Sequence, residues 1–174
     1  SSMRSHLGVF EKIPRINGGI VLKRALLLSV IILTVDQLLK LYFQLYFLEE
    51  ELLIFKHWGF TYVTNLGIWI SPDISMTLMI IIQIFVILCW LLMLKLLTDY
   101  HIYYRKSIFI DISFAFFTTA ALGNVILDRL FLGYIRDYFI TPIAICNLAD
   151  ISFEISLIFF VIELIRYPDA RNIF

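Results

Sequence analysis

Cysteine, histidine, proline and glycine are all scarce: two, three, four and seven in 174 residues. Two cysteines do not make a disulfide framework. Cys89 falls inside an apolar segment, about 22 Å from that segment's outer end at ~1.5 Å per residue, whereas Cys146 falls near a surface, so the two are not expected to meet. His6, His57 and His101 are scattered along the chain, and neither they nor the cysteines have the spacing of a zinc site, so no such metal centre is expected. Charge is sparse as well, at 16% Asp, Glu, Lys and Arg with a formal net charge of zero. Nothing in it points to a nucleic-acid partner. No internal repeat and no low-complexity linker is present.

What is abundant is apolar. Hydrophobic residues make up 61% of the chain and aromatics 16%, with a mean hydropathy of +0.90, far above the apolar share of a soluble domain. Four apolar segments approach the ~20 residues needed to cross a hydrocarbon core as a helix: Leu22 to Phe47, Ile74 to Leu97, Ile108 to Leu127, and Ile151 to Ile165 extended from Asn147 to Tyr167. Positive residues in short loops stay cytoplasmic, and 10 of the 14 Lys and Arg residues flank one side. Both termini are therefore expected inside. The expected fold is an all-α membrane protein of four transmembrane helices with a small extracytoplasmic β element between helices one and two.

Residues 1–21 read as a cytoplasmic extension, 22–167 as one four-helix domain and 168–174 as a cytoplasmic tail. Ser1 and Ser2 ahead of Met3 read as a cloning remnant. The basic start followed by an apolar run has the outline of a signal peptide, but no small-residue cleavage site follows Leu33, so the run reads as a retained first helix. Between Leu48 and Asp73, β-branched and aromatic residues alternate with polar ones in FKHWGFTYVTNLGIW, the pattern of short strands at a membrane surface. Trp58, Tyr62 and Trp69 also fit a simple interfacial aromatic belt.

The polar residues that a bilayer should exclude are the informative ones. Asp36 and Lys40, in VDQLLK, lie four apart on one helical face and can neutralise each other, which suits a packing pair as well as a catalytic one. Asp128, Asp137 and Asp150 crowd into 23 residues at the outer mouths of the spans, together with Gly123, Asn124, Arg129, Arg136 and Asn147. Arg129 is a partner for a carboxylate or a carbonyl, and Arg136 beside Asp137 is expected to lower that acid's pKa. Two carboxylates held close share a proton, so that one serves as base while the other donates a hydrogen bond. That is the chemistry of an aspartic hydrolase. Three acids give three possible pairs, and the residues alone do not choose among them. A small membrane transporter would also place acids in a four-helix bundle, but the second and third segments carry too few polar residues for a continuous path.

Four strings, in order, resemble the lipoprotein signal peptidases (signal peptidase II), which are four-helix bacterial membrane aspartic endopeptidases: VDQLLK (DQxxK), TNLGIWIS (NxGxxF), ALGNVILDRLFLGYIRDYF (GGAxGNxxDRxxxGxVxDF) and CNLAD (FNxAD). By that resemblance the catalytic pair is Asp137 and Asp150. Asn65, Gly67, Asn124, Asp128, Arg129, Asn147 and Ala149 become substrate-binding or supporting residues, and Asp36 with Lys40 a structural pair. The implied substrate is a diacylglyceryl-modified prolipoprotein, cut before its lipidated cysteine at the outer face of the bacterial cytoplasmic membrane, with water as nucleophile and no cofactor. The resemblance further implies membrane lipids as surroundings, a monomer, and sensitivity to cyclic-peptide inhibitors of the globomycin type. Thr119, Ala120, Ile70, Cys146, Tyr138 and Ile151 depart from the family pattern, and only 12 residues separate Asp137 from Asp150. A catalytically silent relative that binds lipoprotein precursors would keep the same fold.

Overall fold

A computed structural model of the chain describes residues 18–48, 50–66, 76–103 and 107–166. Long apolar segments satisfy their backbone groups internally by closing into helices. Here these are α1 (Gly18–Tyr46), α2 (Met76–Tyr103), α3 (Ile108–Ala120) and α4 (Leu148–Arg166). Among the described residues, three stretches, Leu22–Tyr46, Thr77–Tyr100 and Ile108–Leu130, are long and apolar enough to cross a membrane. By composition α4 does not join them, because Asp150, Glu154, Glu163 and Arg166 all fall within its 19 residues.

The third helix does not stop at Leu127 as its hydropathy suggests. It continues beyond Ala120 as a π-helix, Ala121–Leu130, and the amide of Phe131 reaches the carbonyls of Ile126 and Asp128. A π-helical hydrogen bond spans five residues instead of four, and such stretches gather at functional sites. The wider turn brings residues four and five apart towards one side, and Gly123, Asn124, Asp128 and Arg129 are all buried. Gly133, at φ 85°, then turns the chain out of the helix, in a region that a side chain disfavours.

The β element is larger than the sequence suggests. β1 (Leu52–Phe55) and β2 (Trp58–Asn65) come from the connection between α1 and α2, while β3 (Ile135–Ile140) and β4 (Ile145–Cys146) come from the stretch after the π-helix. They form one antiparallel sheet in the order β1-β2-β3-β4. The short segment between Asp137 and Asp150 is thus a hairpin. Its turn is closed by Thr141, whose hydroxyl donates to the carbonyl of Ala144 at 2.7 Å and accepts from the amides of Ile143 and Ala144.

Side-chain packing joins these elements. Between helices, small hydroxyl residues allow close approach: Ser113 donates to the Ser156 carbonyl at 2.9 Å, and Trp90 donates to Thr118 at 3.1 Å. At the other end from the sheet, Ala25, Leu97, Tyr100, Ile110 and Phe114 form an apolar core, flanked by an Arg24–Asp111 ion pair and a Tyr100–Glu163 hydrogen bond of 2.5 Å. The sheet is docked on α1 by Phe43, whose ring stacks on Tyr138 at 4.7 Å and on Phe60 at 5.1 Å. Phe43 is only 5% exposed, so Phe43→Ala is expected to destabilise the protein by about 3–5 kcal/mol. Chemical denaturation in detergent checks this, with loss of sheet signal preceding loss of helix signal.

Candidate active site

The site is organised around buried charge. Lys40, on α1, is fully buried and must spend all three of its N–H donors on protein acceptors, since an unpaired buried ammonium is very costly. It reaches Asp36 Oδ2 at 2.9 Å, Asp128 Oδ2 at 3.0 Å and Asn124 Oδ1 at 2.7 Å. Asp36 and Asp128 are fully buried too. The pair read from VDQLLK is therefore part of a larger network that joins α1 to the π-helix.

Asp128 gains a partner that the sequence does not suggest. Its carboxylate receives the Arg136 guanidinium, Nη2 at 2.6 Å and Nε at 3.2 Å on Oδ1, and the Arg136 backbone amide at 3.1 Å on Oδ2. Arg129 instead donates to the carbonyl of Leu66 at 2.7 Å, just past the end of β2. Arg136 does not lower the pKa of Asp137 as expected. Burial pushes the Asp137 carboxyl above its usual range, against the opposing pull of hydrogen bonds from Asn65 and Asn147 and of the more distant Lys40 charge. The reason is geometric: successive side chains of a strand point to opposite faces, and the Arg136 charge goes to Asp128 and to Gln37 Oε1, at 2.6 Å.

Asp137 and Asp150 are brought together by Asn147. Its Nδ2 donates to Asp137 Oδ1 at 2.7 Å and its Oδ1 accepts the Asp150 amide at 3.1 Å, while its own amide donates to Asp150 Oδ2 at 3.0 Å. The last two bonds are reciprocal, in the manner of a capping box at the start of α4. The remaining carboxylate oxygens are also held, Asp137 Oδ2 by Asn65 at 3.0 Å and Asp150 Oδ1 by Asn124 at 2.8 Å. Asp137 is 4% exposed, whereas Asp150 opens to the outside. One carboxylate of the pair is enclosed and its neighbour accessible.

The first turn of α4 is fully occupied. The Leu148 amide donates to the Tyr138 hydroxyl and the Ala149 amide to Asp36 Oδ1, each at 3.0 Å, so donors that a helix start leaves unpaired are satisfied by the strand and by α1. Ala149 is fully buried, against the backbone of Gly123. Of the residues singled out in the sequence, Asp36, Lys40, Asn65, Asn124, Asp128, Arg129, Asp137, Asn147, Ala149 and Asp150 converge here, while Gly67 lies outside the described residues, as do Trp69 and Ile70. Sequence reasoning missed the parts played by Gln37, Arg136 and Tyr138. The N-x-x-D spacing of Asn147 and Asp150 does carry the capping signal, but nothing local pairs Arg136 with Asp128.

Two solved structures share this architecture, each described as a bacterial membrane enzyme determined by the in meso method. One aligns with a TM-score of 0.69 at 23% identity, covering 80% of this chain and 91% of its own. The other gives 0.64 at 24% identity, covering 83% and 88%. The fold is thus one found among bacterial membrane enzymes. The family model for signal peptidase (SPase) II matches residues 28–166, and the chain belongs to that family, in agreement with the resemblance carried by the four motifs. Membership makes it a multi-pass membrane peptidase that processes lipoprotein signal peptides. No curated protein matches it.

Close packing at Gly123 gives a direct test of the network. A Cβ there would lie 2.9 Å from Asp36 Oδ2, and that carboxylate has no room to yield because Lys40, Gln37 and the Ala149 amide hold it. Gly123→Ala is expected to cost about 1–3 kcal/mol of stability, the usual penalty of overpacking, with a parallel loss of peptidase activity. Thermal melts and cleavage assays on the same preparation measure both.

Proposed function

We propose that the chain is an aspartic endopeptidase in which Asp137 and Asp150 activate water to remove the signal peptide from diacylglyceryl-modified prolipoproteins, cutting before the lipidated cysteine. The single observation that carries this reading is the double engagement of Asn147, which hydrogen-bonds the Asp137 carboxylate and reciprocally caps Asp150. Two carboxylates so held do not both ionise cheaply, and the pair keeps one proton. The ionised member takes a proton from water as the water oxygen attacks the scissile carbonyl. The protonated member hydrogen-bonds the carbonyl oxygen, and the proton taken from water is delivered to the leaving amine as the C–N bond breaks. Neither step calls for a metal or cofactor.

The same proposal includes topology. Although more charged than the other helices, α4 also crosses the membrane: Glu163 bonds Tyr100 inside the bundle, Asp150 sits in its first turn and Arg166 in its last. Four transmembrane helices in a domain of residues 22–167 put both termini, with the 1–21 extension and the 168–174 tail, on the cytoplasmic side. The sheet and the site then open at the extracytoplasmic face of the bacterial cytoplasmic membrane. There Asn65, Asn124, Asp128, Arg129, Asn147 and Ala149 serve as supporting or substrate-binding residues, and Gly67 is assigned with them from its motif; the enzyme is a monomer, and a globomycin-type cyclic peptide would compete with its lipidated substrate.

Asp137→Asn and Asp150→Asn are each expected to abolish cleavage of a lipidated precursor while the protein stays folded; turnover surviving in either variant would remove that residue from the pair. The pH profile carries an independent expectation. Because burial raises the Asp137 pKa, the shared proton survives above the range of an ordinary carboxyl, so activity falls on the alkaline side as that proton is lost. The midpoint of that fall should lie above the unperturbed Asp value of about 3.9; a midpoint at or below it in detergent-solubilised enzyme would contradict the shared proton.

A further inference from the structure

The polar core beneath the dyad contains four charges, Asp36 and Lys40 on α1, Asp128 on the π-helix and Arg136 on β3. One ammonium serves two carboxylates, because Lys40 touches both Asp36 and Asp128. A second cation is needed for neutrality, and Arg136 supplies it at 2.6 Å. We infer that Arg136 is the positioning residue of the catalytic pair, holding β3 in register against the π-helix and cancelling the charge of Asp128, so that proton transfer at Asp137 and Asp150 occurs over a core of zero net charge. This inference rests on the dyad reading above.

Both sides of Arg136 are tied. Its side chain clamps Asp128 and reaches Gln37 on α1, and its backbone amide adds a further bond to Asp128. Its carbonyl accepts from Asn147 Nδ2 at 3.3 Å, the same amide group that donates to Asp137. Asp137 is the next residue, so its position follows from three elements meeting at Arg136. Beside burial, the Asp128 charge also opposes ionisation of Asp137. With Arg136 removed, that opposition grows at an enclosed carboxylate, which water screens poorly. The other charged or titratable groups turned towards the pair are Asp36 and Lys40 from α1, Arg129 from the π-helix, Tyr138 from β3 and Cys146 from β4.

Arg136→Gln keeps an amide beside Asp128 and deletes the charge. Its kcat is expected to fall at least about tenfold, with KM for a lipidated precursor changed by less than about twofold, since an interaction remote from substrate is lost. The alkaline limb of the kcat profile should move to higher pH, because an uncancelled neighbouring negative charge favours the protonated carboxyl. The double variant Arg136→Gln/Asp128→Asn returns the core to zero charge with an amide–amide contact, and is expected to recover at least about fivefold over Arg136→Gln, as members of one buried network couple strongly. A double variant no faster than Arg136→Gln, or Arg136→Gln at full kcat, overturns the inference. If Arg136→Gln does not fold, Arg136→Lys decides: with charge kept it should retain activity within about tenfold although the two-armed contact is lost, and an inactive but folded Lys variant overturns the charge role. Failure of the dyad reading would register elsewhere, as cleavage by Asp137→Asn or Asp150→Asn, whatever the charge rescue does.

Discussion

A fully buried ammonium is the constraint from which the rest of the site follows. Lys40 has no water to return to, so the fold must bring it three acceptors, and it does so from two elements: Asp36 from its own helix, Asp128 and Asn124 from the π-helix. Each acceptor is then committed elsewhere. Asp36 caps the start of α4 through the Ala149 amide, Asn124 turns its other end to Asp150, and Asp128 takes the Arg136 clamp. Breaking one bond leaves the next group buried and unsatisfied, which is why such networks either hold fully or fail.

The π-helix makes this convergence possible. In an ordinary helix Asn124 and Asp128 share a face while Arg129 points well away from it. The five-residue hydrogen bonds bring all three into the protein, so Asn124 serves Asp150, Asp128 binds Lys40 and Arg136, and Arg129 holds the end of β2. The sheet completes the enclosure. β3 runs between β2 and β4, so Asn65 opposite Ile135 and Asn147 just beyond β4 approach Asp137 from two sides. An aromatic stack under Phe43 presses that sheet onto α1. A strand, unlike a loop, holds its side chains to a fixed alternation, and this sends the charge of Arg136 one way and Asp137 the other.

Much of this protein is legible along the chain. The apolar segments show themselves through composition, Asp36 and Lys40 through their i, i+4 spacing, and Asn147 with Asp150 through a helix-start pattern. Each of these signals arises within one element, where spacing in sequence maps directly onto a face. Motif order carries the family, and the residues it marks do meet wherever they are described. The π-helix has no signal of its own in the sequence, because Asn124 and Asp128 lie four apart as they would on one face of an ordinary helix. β3 and β4 were hidden by length: with two to six residues and a turn between them, they look like a connection unless β2 is known to lie alongside.

By itself, then, the sequence determined the helical apolar class, the family and the set of polar residues around which a site had to form. Only the tertiary structure decided who binds whom. Asp128 takes the Arg136 clamp, Arg129 reaches the Leu66 carbonyl, and burial pushes the Asp137 carboxyl up, because pairing depends on which faces a π-turn and a strand present to each other across elements distant in the chain. Local spacing cannot encode that, whereas burial enforces it: a charge removed from water takes whichever partner the packing brings within reach.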